Sequence, residues 1–326
     1  MSKEIKRIAV YTSGGDAPGM NAAVRAVVRT ATYNNLHVYG IYQGYEGMIN
    51  GNIKRLDKAD VANILQLGGT RLKTARSAEF RTEKGREMAY DSLVAHDIDA
   101  CIGIGGDGTY TGANVFTKTY DIPFIGLPGT IDNDIYGTDY TIGFDTAINT
   151  AVEAIDKIRD TADSHNRLFF IEVMGRHAGY IALHTGIGTG AGSIFLPETD
   201  TDIDEFVQQL QKSTKRKKLF NLVVVAEGNQ NGNAMEIAAQ IKEKYGIESK
   251  ITIIGHLQRG GSPSAFDRVL ASRLGYSAVN ALLEGKENMA LGVEENKISY
   301  TSFEDAITKK KEFSQEMCHM AKVLSL

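Results

Sequence analysis

Asp99-Ala100-Cys101-Ile102-Gly103-Ile104 runs directly into Gly105-Gly106-Asp107-Gly108-Thr109, and the reading of this stretch decides the fold. The apolar run has the length and composition of a buried β-strand, the glycines mark its exit, and the spacing beyond predicts a helix to Thr117. The same order occurs twice more. Arg7-Ile8-Ala9-Val10-Tyr11 leads into Ser13-Gly14-Gly15-Asp16-Ala17-Pro18-Gly19, and Asn21 to Thr32 then carries Ala23, Val24, Val27, Val28 and Ala31 on one helical stripe. Ile122-Pro123-Phe124-Ile125-Gly126 leads into Pro128-Gly129-Thr130-Ile131-Asp132-Asn133-Asp134.

The second half keeps the rhythm. Helices are expected over 146–159, 177–184, 204–213, 234–244 and 264–283, with strands over 167–173, 222–226 and 251–254. Alternation of this kind makes βαβ units and parallel sheets, and strands of continuous Ile, Val and Phe fit burial on both faces. The expected fold is α/β, with two doubly wound (Rossmann-like) three-layer α/β/α domains, largely parallel sheets and an active-site cleft between them. At roughly 150 residues per domain, 326 residues suit two domains. The border is expected near residues 140–145.

Composition narrows the function. Hydrophobic residues make up 42% and charged residues 23%, and 36 Lys and Arg against 40 Asp and Glu give a formal net charge of −4. That balance speaks against nucleic acid as a partner, which calls for a basic excess. No apolar stretch reaches the roughly 18 residues that suggest a membrane span. Cys101 and Cys318 lie too far apart for a disulfide framework, and Met1 to Arg7 carries no apolar signal region. A cytoplasmic protein is expected.

In open α/β sheets ligands bind beyond the carboxyl ends of the strands, where the three glycine turns fall. Without a Cβ, backbone N–H groups can approach an anion, and a following helix N-terminus adds a favourable dipole. Other phosphate motifs fail on spacing. Gly103 to Gly108 fits G-x-G-x-x-G, but Asp121 comes too early and precedes its strand to serve as the ribose acid. Gly285-Lys286 is followed by Glu287, so no Walker loop exists. Asp200, Asp202 and Asp204 imitate the opening of a calcium loop, but Glu205 and Gln211 occupy its glycine and bidentate-acid positions. Helix capping explains them better.

Asp107, between two glycines, can face a phosphate and its magnesium. Asp132 and Asp134 would project near the same cleft, one as general base and the other near metal, unless they form an Asx-turn. Arg176 and Arg259, each beside glycine past a strand, could together grip a phosphorylated substrate by charge-assisted forks. His37, His96, His177, His184 and His319 lack metal-ligand spacing and default to structural roles.

These segments together resemble the bacterial-type ATP-dependent 6-phosphofructokinase family over essentially the whole chain. The match is carried by Thr12 to Ala23, Gly105 to Thr109, Pro128 to Asp134, Gly137 to Phe144, Val173 to Arg176 and Gly255 to Pro263. The resemblance implies a larger ATP-binding domain of residues 1–143 plus 256–305 and a smaller fructose-6-phosphate domain of 144–255 plus 306–326. It implies Asp132 as the base on the sugar 1-hydroxyl beside Thr130 and Ile131, and Mg²⁺ on Asp107. ATP would lie on Gly15, Arg76, Ser77, Gly106, Asp107, Gly108 and Thr109. The sugar phosphate would meet Met174, Gly175, Arg176, Glu227, His256, Leu257, Gln258 and Arg259, with Arg167 and Lys250 reaching in from a neighbouring subunit. A homo-oligomer, a tetramer, follows.

Pyrophosphate-using relatives carry aspartate at position 108 and lysine at position 129, and glycine at both here points to ATP. The alternatives are a pyrophosphate-dependent phosphotransferase and a non-catalytic sugar-phosphate or nucleotide sensor. Lys250 stands where the family has an arginine, which keeps the charge but loses the fork. An effector site for ADP or phosphoenolpyruvate would use Arg25, Arg29, Lys58, Arg159, Arg216 and Lys218. Lys58 replaces an arginine and Gly192 an acidic residue there, so a weak or altered response to ADP is expected.

Overall fold

The computed structural model describes residues 4–162, 168–215 and 221–325. Arg167, Arg216 and Lys218 therefore lie outside the described residues. The chain forms two compact units, residues 1–146 with 259–311 and residues 147–258 with 312–326. These borders fall three to six residues beyond the positions 143, 255 and 305 expected above.

The first unit opens with β1 (Arg7–Thr12), α1 (Met20–Tyr33), β2 (His37–Ile41), α2 (Gly44–Ile49) and β3 (Ile53–Leu56). It continues with α3 (Glu83–Ala95), β4 (Ala100–Gly105), α4 (Asp107–Thr117) and β5 (Phe124–Pro128). Helix α5 (Phe144–Ala162) leads into β6 (Leu168–Val173), α6 (Tyr180–Gly188), β7 (Ser193–Phe195) and α7 (Ile203–Lys215). Then come β8 (Asn221–Ala226), α8 (Ala234–Tyr245) and β9 (Ser249–Ile253). The chain returns to the first unit with α9 (Ala265–Leu283), β10 (Met289–Glu294), β11 (Lys297–Ser302) and α10 (Phe303–Thr308), and α11 (Gln315–Leu324) ends the second.

The sheet of the first unit runs β11-β10-β5-β4-β1-β2-β3, with antiparallel pairs only at its edges, β10 with β11 and β2 with β3. Strand residues alternate in facing direction. Ala9, Tyr11, Cys101 and Phe124 join a core with residues of α2, α3, α4 and α10, such as Met48, Leu93, Phe116 and Phe303. The opposite face is covered by α1 packed on α9. Gly275 is what lets these two meet, since a Cβ there would come 2.7 Å from the Ala23 carbonyl oxygen. This is the three-layer arrangement the alternating pattern implies.

The second unit has a four-stranded parallel sheet, β7-β8-β6-β9. Phe170, Val223 and Val225 pack with Phe195 against Phe206, Val207 and Leu210 of α7 and Ile237 and Ile241 of α8. The strand at 251–254 departs from the expected two-sided burial: β9 is an edge strand, and Ile251 and Ile253 are exposed by 38% and 46%. The helix expected from His177 begins three residues later, because Ala178 closes a turn onto the Gly175 carbonyl first. Asp202 accepts from the backbone N–H groups of Asp204 and Glu205, so the acidic run does cap α7.

Candidate functional site

In the first sheet β1 is followed on one side by β2 and on the other by β4, so the winding reverses between β1 and β4. Ligand crevices open at such reversals, past the carboxyl ends of the strands. All three glycine turns lie there on the adjacent parallel strands β1, β4 and β5. Ser13 N–H donates to the Ile104 carbonyl at 2.9 Å and Gly129 N–H to the Gly105 carbonyl at 3.0 Å, joining the turns into one surface.

Two of the turns lead into helices, and only that of α4 starts at an exposed turn. Helix α1 has Gly19 and α4 has Gly106 at the N-cap, neither with a side-chain cap bond. Backbone N–H groups and the positive dipole end thus face the crevice at α4, where Asp107 and Gly108 are exposed. A Cβ at Gly108 would meet nothing within 4 Å, so space beyond it is open. Gly129 is different: a Cβ there would stand 2.9 Å from Ile104 Cγ2, 3.0 Å from Met20 Cε and 3.1 Å from Gly105 N. A lysine at 129 would require β4 and α1 to repack.

Arg259 belongs to the first unit, and its guanidinium lies on Gly15, where a Cβ would come 2.5 Å from one of its nitrogens. It also donates to the Asp16 carbonyl at 3.3 Å. The structure therefore seats Arg259 on the first turn, whereas Arg176 is a residue of the second unit. Arg76 is exposed in the segment before a short 3-10 turn, Glu79–Arg81, and Ser77 Oγ accepts from Phe80 N–H there.

The loop after β5 is stiff. Asp132 is 3% exposed and its N–H donates to Thr130 Oγ1 at 3.2 Å. Thr141 Oγ1 donates to the Thr130 carbonyl at 2.6 Å. Asn133, at φ +56°, accepts from Thr141 N–H through Oδ1 and donates through Nδ2 to the Asp139 carbonyl. Asparagine tolerates that left-handed backbone better than most residues. Ile131 is fully buried and anchors the loop.

A buried relay supports α4 from below. Tyr11 Oη donates to Tyr45 Oη at 2.9 Å, and Tyr45 Oη donates to the Thr109 carbonyl at 2.5 Å. Burial raises the pKa of both phenols, which keeps them protonated and able to donate. Tyr45 also stacks on Phe80, ring centroids 3.9 Å apart, tying the turn after β4 to the segment that carries Arg76 and Ser77. No spacing rule singles out Tyr45 or Asn133; both matter only through contacts distant in sequence.

The second unit builds its strand-end loops from side chains. Arg176 is exposed at φ +54° past β6, and its N–H donates to Glu227 Oε1, past β8, at 2.8 Å. Gln258 is fully buried: its Oε1 accepts from Met174 N–H at 2.8 Å, and its Nε2 donates to the Ala147 carbonyl at 3.3 Å. Both ends of this amide are engaged with backbone, so Gln258 braces Met174 rather than presenting an open group. His256, Leu257 and Lys250 are exposed. Arg25 and Arg29 stand one turn apart on α1, and desolvation, with repulsion from Arg29, lowers the Arg25 pKa. Lys58 is exposed in the first unit, and in the second Arg159 donates to the Thr189 carbonyl.

Glycine turns and helix N-termini gathered at the carboxyl edge of a parallel sheet define an α/β protein built to hold anionic ligands. The chain belongs to the phosphofructokinase family, which residues 7–282 match. It is 53% identical over 322 residues to the ATP-dependent 6-phosphofructokinase of Cytophaga hutchinsonii, covering 98% of each chain. It is 51% identical to the ATP-dependent 6-phosphofructokinase of Bacillus subtilis, covering 99% of this chain and all of that one. Among solved structures it superposes on 98% of its length with the phosphofructokinase of Saccharomyces cerevisiae at a TM-score of 0.88 and 38% identity, spanning 46% of that longer chain. The pyrophosphate-dependent phosphofructokinase of Nitrosospira multiformis shares the fold, at a TM-score of 0.86 and 22% identity over 98% of this chain and 91% of that one.

Proposed function

We propose that this chain transfers the γ-phosphoryl group of ATP to the 1-hydroxyl of fructose 6-phosphate, giving fructose 1,6-bisphosphate, with Asp132 as the general base. The observation that carries the reading is the meeting of the three turns at the winding reversal, with Asp107 and Asp132 on neighbouring loops.

Phosphoryl transfer asks a protein mainly for in-line positioning and for neutralisation of charge. The backbone N–H groups at the start of α4, with Gly15, Arg76, Ser77 and Thr109, would hold the triphosphate. Asp132 in its braced loop would accept the sugar proton while Thr130 orients the hydroxyl. Met174, Gly175, Arg176, Glu227, His256 and Arg259 would hold the sugar phosphate. Among the described residues no group of three or more His, Cys, Asp or Glu offers a metal cage. The exposed Asp107 suits an ion that takes most of its oxygens from phosphate and water, as Mg²⁺ does. Bound there, Mg²⁺ supplies charge neutralisation on the phosphates. Open space beyond Gly108 and packing at Gly129 favour ATP over pyrophosphate as donor.

The wider reading is a homotetramer of the cytoplasm in which Arg167 and Lys250 complete a neighbour's sugar site. Arg25, Arg29, Lys58, Arg159, Arg216 and Lys218 would form a weakened ADP or phosphoenolpyruvate site. No helix among the described residues is long and apolar enough to cross a membrane. A donor-swap assay tests the core claim: kcat/KM with MgATP is expected to exceed that with pyrophosphate by at least about 100-fold, each 1.4 kcal/mol of donor discrimination giving tenfold. Faster turnover with pyrophosphate would refute it.

A further inference from the structure

The loop carrying Asp132 is held from a place remote in sequence. Lys311, where the chain leaves the first unit, donates through Nζ to the Asp139 carbonyl at 2.7 Å across 172 residues. Asn133 Nδ2 donates to that same oxygen at 3.2 Å. One carbonyl thus takes a donor from inside the loop, beside Asp132, and another from outside it. Asp139 is fixed further by its own N–H on the Val293 carbonyl and by its carboxylate accepting from Glu295 N–H.

We propose that Lys311 is a positioning residue for Asp132, locking the loop from Thr130 to Thr141 by sharing the Asp139 carbonyl with Asn133. This deepens the reading of Asp132 as base and rests on it. Lys311 touches no reacting atom in this account; it sets where Asp132 stands.

The charge on Lys311 is kept at some cost. Burial pushes its pKa down to about 8, against the pull of Asp139 and Asp134 on the loop. Lys309, Lys310 and Glu312 flank it in its own segment, and Lys309 pairs with Asp305 and lies over the Tyr136 ring. A partly desolvated ammonium beside a loop of this kind is what functional sites collect, since stability alone would favour an apolar side chain.

Steady-state kinetics of the full chain separate the outcomes. Lys311→Met is expected to lower kcat about 10- to 100-fold with KM for ATP and fructose 6-phosphate within about threefold, as a slightly misplaced base does. Lys311→Arg, which keeps charge and donor, is expected to hold kcat within about threefold of wild type. Wild-type kcat in Lys311→Met, or an equal fall in both variants, overturns the inference. Asp132→Asn at wild-type kcat would instead condemn the reading beneath it. The wild-type enzyme gives a readout free of folding risk: kcat is expected to decline above about pH 8, while Lys311→Arg holds to higher pH. Superimposable profiles also overturn the inference.

Discussion

The two units solve the same topological problem with different materials. In the first, the loops past β1, β4 and β5 are glycine turns, so they offer a ligand backbone N–H groups and, at α4, a helix dipole, beside the carboxylates of Asp107 and Asp132. In the second, the loops past β6 and β8 offer side chains, Arg176 and Glu227, with Gln258 buried behind Met174. Backbone donors suit any phosphate that fits the space. Side chains on a fixed frame choose among ligands by charge and shape. On the proposed function, this contrast would give phosphoryl handling to the first unit and discrimination of the acceptor to the second.

That division can be broken by where mutations act. The largest effect is expected from Asp132→Asn, a fall in kcat of about 1,000-fold with little change in KM, the scale of losing a positioned base. Next, Asp267→Ala should act on stability rather than on either ligand. The Asp267 carboxylate is fully buried and accepts from Gly143 N–H, Thr146 N–H and Thr146 Oγ1, so its loss should cost about 2–4 kcal/mol in denaturant unfolding. Arg176→Ala should raise KM for fructose 6-phosphate about 10- to 100-fold and leave KM for ATP near wild type, the worth of one charge-assisted contact. A rise confined to the ATP KM would reverse the assignment of the two units.

A smaller effect sharpens the picture of Lys311. Its folded pKa of about 8 lies below the unfolded value of about 10.4, so folding disfavours the charged form. Its contribution is therefore unfavourable below pH 8 and is relieved as pH rises towards 10.4. The stability of wild type relative to Lys311→Met should rise by about 2–3 kcal/mol across that window, measured by urea unfolding. A flat difference would show that the ammonium is not desolvated.

Much of this was legible beforehand, and the reasons for the gaps are physical. β1, β4, β5, β6 and β8 are continuous apolar runs ending in marked turns, so they announce themselves. β2, β3, β10 and β11 do not. β3 is four residues with an exposed Lys54-Arg55 centre, and β11 shows only intermediate and exposed residues, as edge strands do. The Asp-bearing turns were readable because glycine at a strand end has few other uses. Arg259 stands out beside glycine past a strand, but its seat on Gly15 depends on a close approach across 244 positions that no local pattern records. Gln258, Asn133, Asp267 and Lys311 matter through backbone groups far along the chain, where spacing is silent.

The return of the chain after residue 258 has a practical consequence for dissection. Strand β10 borders β5 with β11 beyond it, and α9 covers α1, so a fragment stopped at Thr146 would bare a central strand edge and an apolar helix face together. Such a piece would be expected to associate or precipitate. Neither half of this molecule can be freed by a single cut; a soluble first unit would need residues 259–311 spliced directly onto residue 146.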